Sequence, residues 1–128
     1  MNLLLDTHIW IWSKLDPKRI GKLASRELSN TGNELWLSPV SVWEALTLMQ
    51  KGKIRVENPF AWVERAVEQM REAPLTHEIV SIGLGLPLPH ADPADRFLAA
   101  TAQVLSLTLV TADQRLLGLG EIRSLANR

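Results

Sequence analysis

Leu3-Leu4-Leu5-Asp6-Thr7-His8 joins three consecutive aliphatic residues to a carboxylate and two further polar residues. A strand with one wet face alternates apolar with polar, whereas an unbroken apolar run marks a strand buried on both faces, as in a parallel sheet. The same pattern recurs at Leu35 to Leu37 and at Leu107 to Val110, with fainter strand signals near Leu75 and near Ile122. Helix starts are written between these runs. Asp16-Pro17, Ser38-Pro39, Asn58-Pro59 and Asp92-Pro93 each set a good N-cap residue before Pro at the first helical position. After Pro17, Ile20, Leu23, Ala24 and Leu28 share a stripe; after Pro59, Phe60, Val63, Val67 and Met70 do. Both predict amphipathic helices. Gly83 to Pro89 reads as a loop leading to the Asp92 cap, with too little glycine pattern for a phosphate loop. Strands alternating with helices predict an α/β sandwich with a mostly parallel sheet, in which ligands collect at the carboxyl ends of the strands.

At 128 residues the chain reads as one domain, 1–128, long enough to bury about two thirds of its unfolded surface. Hydrophobic residues make up 46%, enough for a core without staples. The absence of Cys excludes disulfides and thiolate-bound metal and fits a reducing cytoplasm. No basic leader precedes the first apolar run, and no stretch approaches a membrane span, so a soluble intracellular location is expected. The 14 basic and 14 acidic residues cancel, so net charge gives no support for nucleic-acid binding. Their distribution is less even. Lys14, Lys18, Arg19, Lys22 and Arg26 cluster, as do Lys51, Lys53 and Arg55. Either group could track a phosphate backbone, or be an ordinary solvated face.

Function is carried by acids in apolar settings. Asp6 follows Leu5, Glu44 sits in Val42-Trp43-Glu44-Ala45-Leu46, Asp95 precedes Phe97-Leu98-Ala99-Ala100, and Asp113 ends Leu109-Val110-Thr111-Ala112-Asp113. A carboxylate beside buried segments is costly unless paired. Four drawn together would also repel one another, and a divalent cation relieves both problems because Mg²⁺ and Mn²⁺ favour carboxylate oxygens. Such a site suits phosphate-ester chemistry. Each acid alone has a plainer reading. Asp6 and Asp113 could cap the helices that follow them, and Asp95 lies where an acid favours the helix dipole. Asp92 is better read as the cap. Glu44 resists this, being mid-helix among Val40, Trp43, Ala45 and Leu46.

Asp6 after an apolar strand, Ser41-Val42-Trp43-Glu44, Asp95-Arg96-Phe97-Leu98-Ala99-Ala100-Thr101-Ala102 and Thr111-Ala112-Asp113 together resemble the PIN-domain nucleases, most closely the VapC-type toxins of type II toxin–antitoxin pairs. The likeness runs along nearly the whole chain in order and spacing, and Asp92-Pro93-Ala94-Asp95-Arg96 is similar to the subgroup with an extra upstream Asp. It implies a three-layer α/β/α sandwich whose four acids gather Mg²⁺ or Mn²⁺ in a shallow groove, RNA as substrate, a homodimer, and a cognate antitoxin that blocks the site.

On this reading the chain is a metal-dependent endoribonuclease that hydrolyses RNA phosphodiesters with a metal-activated water. Asp6 and Asp95 are the first choices as metal ligands, with Glu44 and Asp113 completing the cage. Thr7 and Thr111 are expected to orient carboxylates or touch phosphate. Arg96 is expected to pair with a nearby acid or to contact substrate, with Asp92 a lesser metal candidate. Of Trp10 and Trp12, two apart on a helix, one is expected in the core and the other exposed. Trp43 is expected to wall the site, and His8, His77 and His90 to be structural. A non-catalytic PIN-like RNA- or protein-binding scaffold is the alternative. A haloacid-dehalogenase-type phosphatase would need Asp at position 8, where His8 stands, and a late Lys, whereas Lys53 is the last.

Overall fold

The computed structural model describes residues 1–88 and 92–128. Pro89 and His90, named above as a loop end and a structural histidine, lie outside the described residues. Five strands form one sheet in the order β3-β2-β1-β4-β5, and every pairing is parallel. They are β1 (Asn2–Leu5), β2 (Glu34–Leu37), β3 (Arg71–Glu72), β4 (Thr108–Thr111) and β5 (Arg123–Ala126). The opening Leu run is therefore the central strand, with Leu4 opposite Trp36 on one side and Leu109 on the other.

Period-two alternation divides the central Leu residues between two cores. Leu4 and Leu109 face a cluster with Ile79, Ala99, Ala102 and Leu116, from α5 (His77–Gly85), α6 (Pro93–Val104) and α7 (Gln114–Leu117). Leu3, Leu5 and Val110 face the opposite cluster with Ile9, Trp10, Ala45, Met49 and Ala66, from α1 (Thr7–Leu15), α3 (Pro39–Gln50) and α4 (Pro59–Ala66). Leu3 and Leu4 are wholly buried and Leu5 nearly so, each contributing about 2 kcal/mol by transfer from water. The result is the three-layer α/β/α sandwich.

The Pro-marked caps are real where a helix follows at once. The Ser38 hydroxyl accepts from Val40 N, Asn58 from Ala61 N and Asp92 from Ala94 N. Pro17 opens only a 3₁₀ turn, Pro17–Arg19, and α2 (Lys22–Ser29) begins after Gly21. Gly21 is pressed against the carboxyl-terminal backbone: a Cβ there would fall 1.8 Å from the Arg128 carbonyl carbon. The interruption turns Leu23 out to 53% exposure while Ile20 and Leu28 stay against the core. Phe60 likewise points outward, and α4 ends at Ala66, yet Val67 and Met70 beyond it still pack on the core.

Gly83 and Gly85 belong to a helix rather than a loop. Gly83 lies in the seam between α5 and α6, where an added Cβ would sit 3.2 Å from the Arg96 carbonyl oxygen. The missing side chain permits that close approach. The strand expected near Leu75 is the two-residue β3 just before it, and β5 starts one residue after Ile122.

Candidate active site

The four acids arrive from four places in the chain at one end of the sheet. Asp6 directly follows β1 and caps α1; Asp113 follows β4 by one residue and caps α7. Asp95 stands in the first turn of α6, and Glu44 is midway along α3. Asp6, Glu44, Asp95 and Asp113 line a single open cleft, together with Asp92, His8, Trp12 and Arg115. This is the carboxyl end of the parallel strands, where β–α connections converge.

Threonines hold the carboxylates. Asp6 Oδ1 accepts from Thr7 N at 2.7 Å, and its Oδ2 accepts from the Thr111 hydroxyl at 2.6 Å. The Thr111 oxygen in turn accepts from Asp113 N at 3.0 Å, so one hydroxyl ties the acids after β1 and β4 together. The buried Thr7 hydroxyl donates to Glu44 Oε1 and lies 2.9 Å from Ser41 Oγ. A hydroxyl carries one proton, so Ser41 must supply the hydrogen of that second bond. Ser41 and Arg115 are the members that sequence reasoning missed. Ser41 was visible only as the first residue of the Glu44 motif, and Arg115 falls two residues after Asp113 on a helix too short to show periodicity.

The electrostatics follow from burial and crowding. Desolvation raises the pKa of Asp6 and Glu44 against the hydrogen bonds that their threonines donate. Asp95 is pushed up to about 6, by burial first and then by the charges of Asp6, Asp113 and Asp92. Asp113 moves the other way, held low chiefly by its hydrogen bonds from Arg115. The Arg115 guanidinium bridges two elements, with Nη2 2.8 Å from Asp113 Oδ2 and 3.0 Å from Asp95 Oδ2.

Arg96 does not join the cleft. Its guanidinium donates to the carbonyls of Gly83, Leu84, Leu86 and Leu88 at 2.8 to 3.1 Å, closing the end of α5 and the segment after it. The expected acid partner is replaced by main-chain carbonyls because α5 ends beside α6 and its last carbonyls still have lone pairs to share. Trp10 is wholly buried, its indole N–H donating to Ala66 O at 3.0 Å. Trp12 lines the cleft, His8 ring to Trp12 ring 5.7 Å apart, with the Arg19 guanidinium 4.2 Å over it. One member of the first basic cluster thus reaches the cleft wall. Trp43 is 68% exposed in an apolar groove with Leu75, Pro93 and Phe97 that adjoins the cleft at Asp92.

Carboxylate oxygens with raised proton affinity, relieved at one edge by a guanidinium, are the donor set that a hard divalent cation satisfies. In the present side-chain positions no group of three or more acidic or His residues, among the described residues, closes on one point as direct ligands. Fewer than three of these acids would then be direct ligands in these positions, and any further coordination would be completed by water.

The family model for the PIN domain matches residues 3–122. Ribonuclease VapC22 of Mycobacterium tuberculosis is 31% identical over 116 residues, covering 89% of this chain and 88% of that protein. Among solved structures, VapBC2 from Rickettsia felis bound to a DNA fragment from its promoter contains a chain that aligns with a TM-score of 0.77 at 16% identity, over 98% of each. DNA-bound VapBC from Salmonella typhimurium aligns with a TM-score of 0.74 at 18% identity, over 100% of this chain and 99% of that one.

Proposed function

The chain belongs to the PIN-domain family, on its VapC branch, and from that membership we propose a metal-dependent endoribonuclease acting as the toxin of a toxin–antitoxin pair. The observation that carries the reading is the convergence of Asp6, Glu44, Asp95 and Asp113 on one cleft at the carboxyl end of the sheet. Mg²⁺ or Mn²⁺ is the proposed cofactor. A divalent cation in the cleft supplies Lewis acidity to water and to a phosphate oxygen, and positive charge against the charge that develops as the phosphodiester breaks.

The chain's own residues prepare that chemistry. Asp6 and Asp95 are the carboxylates that would hold the ion, with Glu44 and Asp113 completing the set that lines the cleft. Thr111 and Thr7 fix Asp6 and Glu44 in place before substrate arrives, so little reorganisation remains for the reaction to supply. Arg19 on Trp12 brings positive charge to the rim, suited to an RNA backbone entering there.

A VapB-type antitoxin is the proposed partner, after the VapBC complexes that share this fold. A homodimer is proposed on the exposed apolar side chains of Trp43, Phe60 and Leu84. Among the described residues no helix is long and apolar enough to cross a membrane, and the proposed site of action is the cytoplasm, where RNA is met. Sequencing of RNA 5′ ends after brief induction tests the activity against an Asp6→Asn variant. Discrete new ends with wild type alone, and their loss without divalent metal, are expected. Equal cleavage by Asp6→Asn, or none by either, would move the reading to a non-catalytic scaffold.

A further inference from the structure

Two arginines lie near the acids, and they are used differently. Arg96 is pinned, its guanidinium shared among four main-chain carbonyls. Among the described residues, the side-chain hydrogen bonds of Arg115 go to Asp113 and Asp95, carboxylates that the metal reading needs. Nη2 reaches one Oδ2 of each, 2.8 and 3.0 Å away, while Nε lies 3.2 Å from Asp113 Oδ1. The side chain is 48% exposed, open to solvent along half its surface. Its backbone is fixed independently, by Arg115 N donating to Asp113 Oδ1 at 2.8 Å. The head group can therefore leave without α7 moving.

A cation drawn to the Oδ2 atoms of Asp95 and Asp113 competes with this guanidinium, which lies between those same two atoms. Once displaced, the head group remains at the cleft rim on a fixed Cα, with its donor fork exposed. A planar fork of N–H donors matches phosphate oxygens bidentately. From this geometry we infer that Arg115 is a resident counter-ion: it occupies the Asp95–Asp113 position in the metal-free chain, yields it to the divalent cation, and then contacts a phosphate of the RNA. The inference rests on the metal-site reading above, and adds to it a residue that opposes metal binding and favours substrate binding.

Calorimetric titration of the metal-free protein with Mn²⁺ separates the two. Arg115→Gln should bind Mn²⁺ about fivefold more tightly at low salt, the gain shrinking as salt screens the lost ion pairs. Arg115→Lys, which keeps charge but not the fork, should fall between. Arg19→Gln removes a cation from the same rim without touching a carboxylate and should leave Mn²⁺ affinity near wild type. At saturating Mn²⁺, Arg115→Gln should raise the KM for RNA about tenfold with a smaller change in kcat, as loss of a charge-assisted phosphate contact requires. Mn²⁺ affinity unchanged or weakened in Arg115→Gln, or tightened equally in Arg19→Gln, overturns the counter-ion role while leaving the nuclease reading intact. Absence of Mn²⁺ uptake by wild type overturns both.

Discussion

Asp95→Asn should make the metal-free protein more stable while abolishing cleavage. The Asp95 side chain is only 19% exposed, and its carboxyl is raised from 3.8 to about 6 even with Arg115 bonded to it. At about 1.4 kcal/mol per pH unit, holding it ionised in the folded chain costs about 2 to 3 kcal/mol. The sign follows from proton linkage. Below about pH 4 both folded and unfolded chains carry the proton and nothing is lost. Between about 4 and 6 the unfolded chain releases its proton first, so stability falls as pH rises, and above about 6 the whole cost is present. Asn carries no charge at any pH and should remove that cost.

Scanning calorimetry in a chelator at pH 7.5 should then show Asp95→Asn melting roughly 6 to 12 °C above wild type, with the gain largely gone at pH 4. Saturating Mn²⁺ should narrow or reverse the gap, because the ion stabilises the wild-type fold it binds. A variant less stable than wild type at pH 7.5, or equally stabilised at both pH values, would refute the argument that crowded, desolvated carboxylates strain this end of the sheet.

Three further outcomes are expected. Thr7→Val keeps the shape but leaves the fully buried Ser41 hydroxyl and Glu44 without their partner; urea unfolding should show a loss of about 1 to 3 kcal/mol, and RNA cleavage should fall. Arg96→Met removes a donor from four carbonyls, of which Gly83 O and Leu86 O keep a main-chain partner, and should lower the urea midpoint by the equivalent of about 2 to 3 kcal/mol at unchanged slope, with Mn²⁺ affinity unaltered. Mn²⁺ at about a hundred times its Kd should stabilise wild type by about 2.7 kcal/mol and Asp6→Asn by much less, read as a melting shift; an equal shift in both would remove Asp6 from the ligand set.

The parallel sheet was legible because its strands carry short apolar runs between helix-start signals, and runs that short suit strands better than helices. The Pro-headed caps were legible because they are local. Contacts between distant segments were not. Nothing near Pro17 announces that Gly21 will lie against Arg128, which is why Leu23 left the stripe it seemed to share. Gly83 read as a loop residue because helix propensity is judged along one helix, whereas its role is to let a second helix approach. The acids could be picked out by their apolar settings, since a carboxylate there demands a reason. Arg115 could not, because an exposed Arg next to an Asp is ordinary until Asp95 is seen beside it.

The strand that opens the sequence becomes the middle of the sheet, and its second neighbour, β4, comes last but one among the strands. On a ribosome the chain emerges from its amino end, so Asp6 leaves the tunnel long before Thr111 and Asp113 exist to hold it. Until residues 108–111 add themselves beside β1, the cleft that Asp6 and Asp113 line cannot close. Docking of β4 beside β1 is thus the step that brings Asp6, Thr111 and Asp113 together, so the order of the strands in the chain makes the cleft a late product of folding.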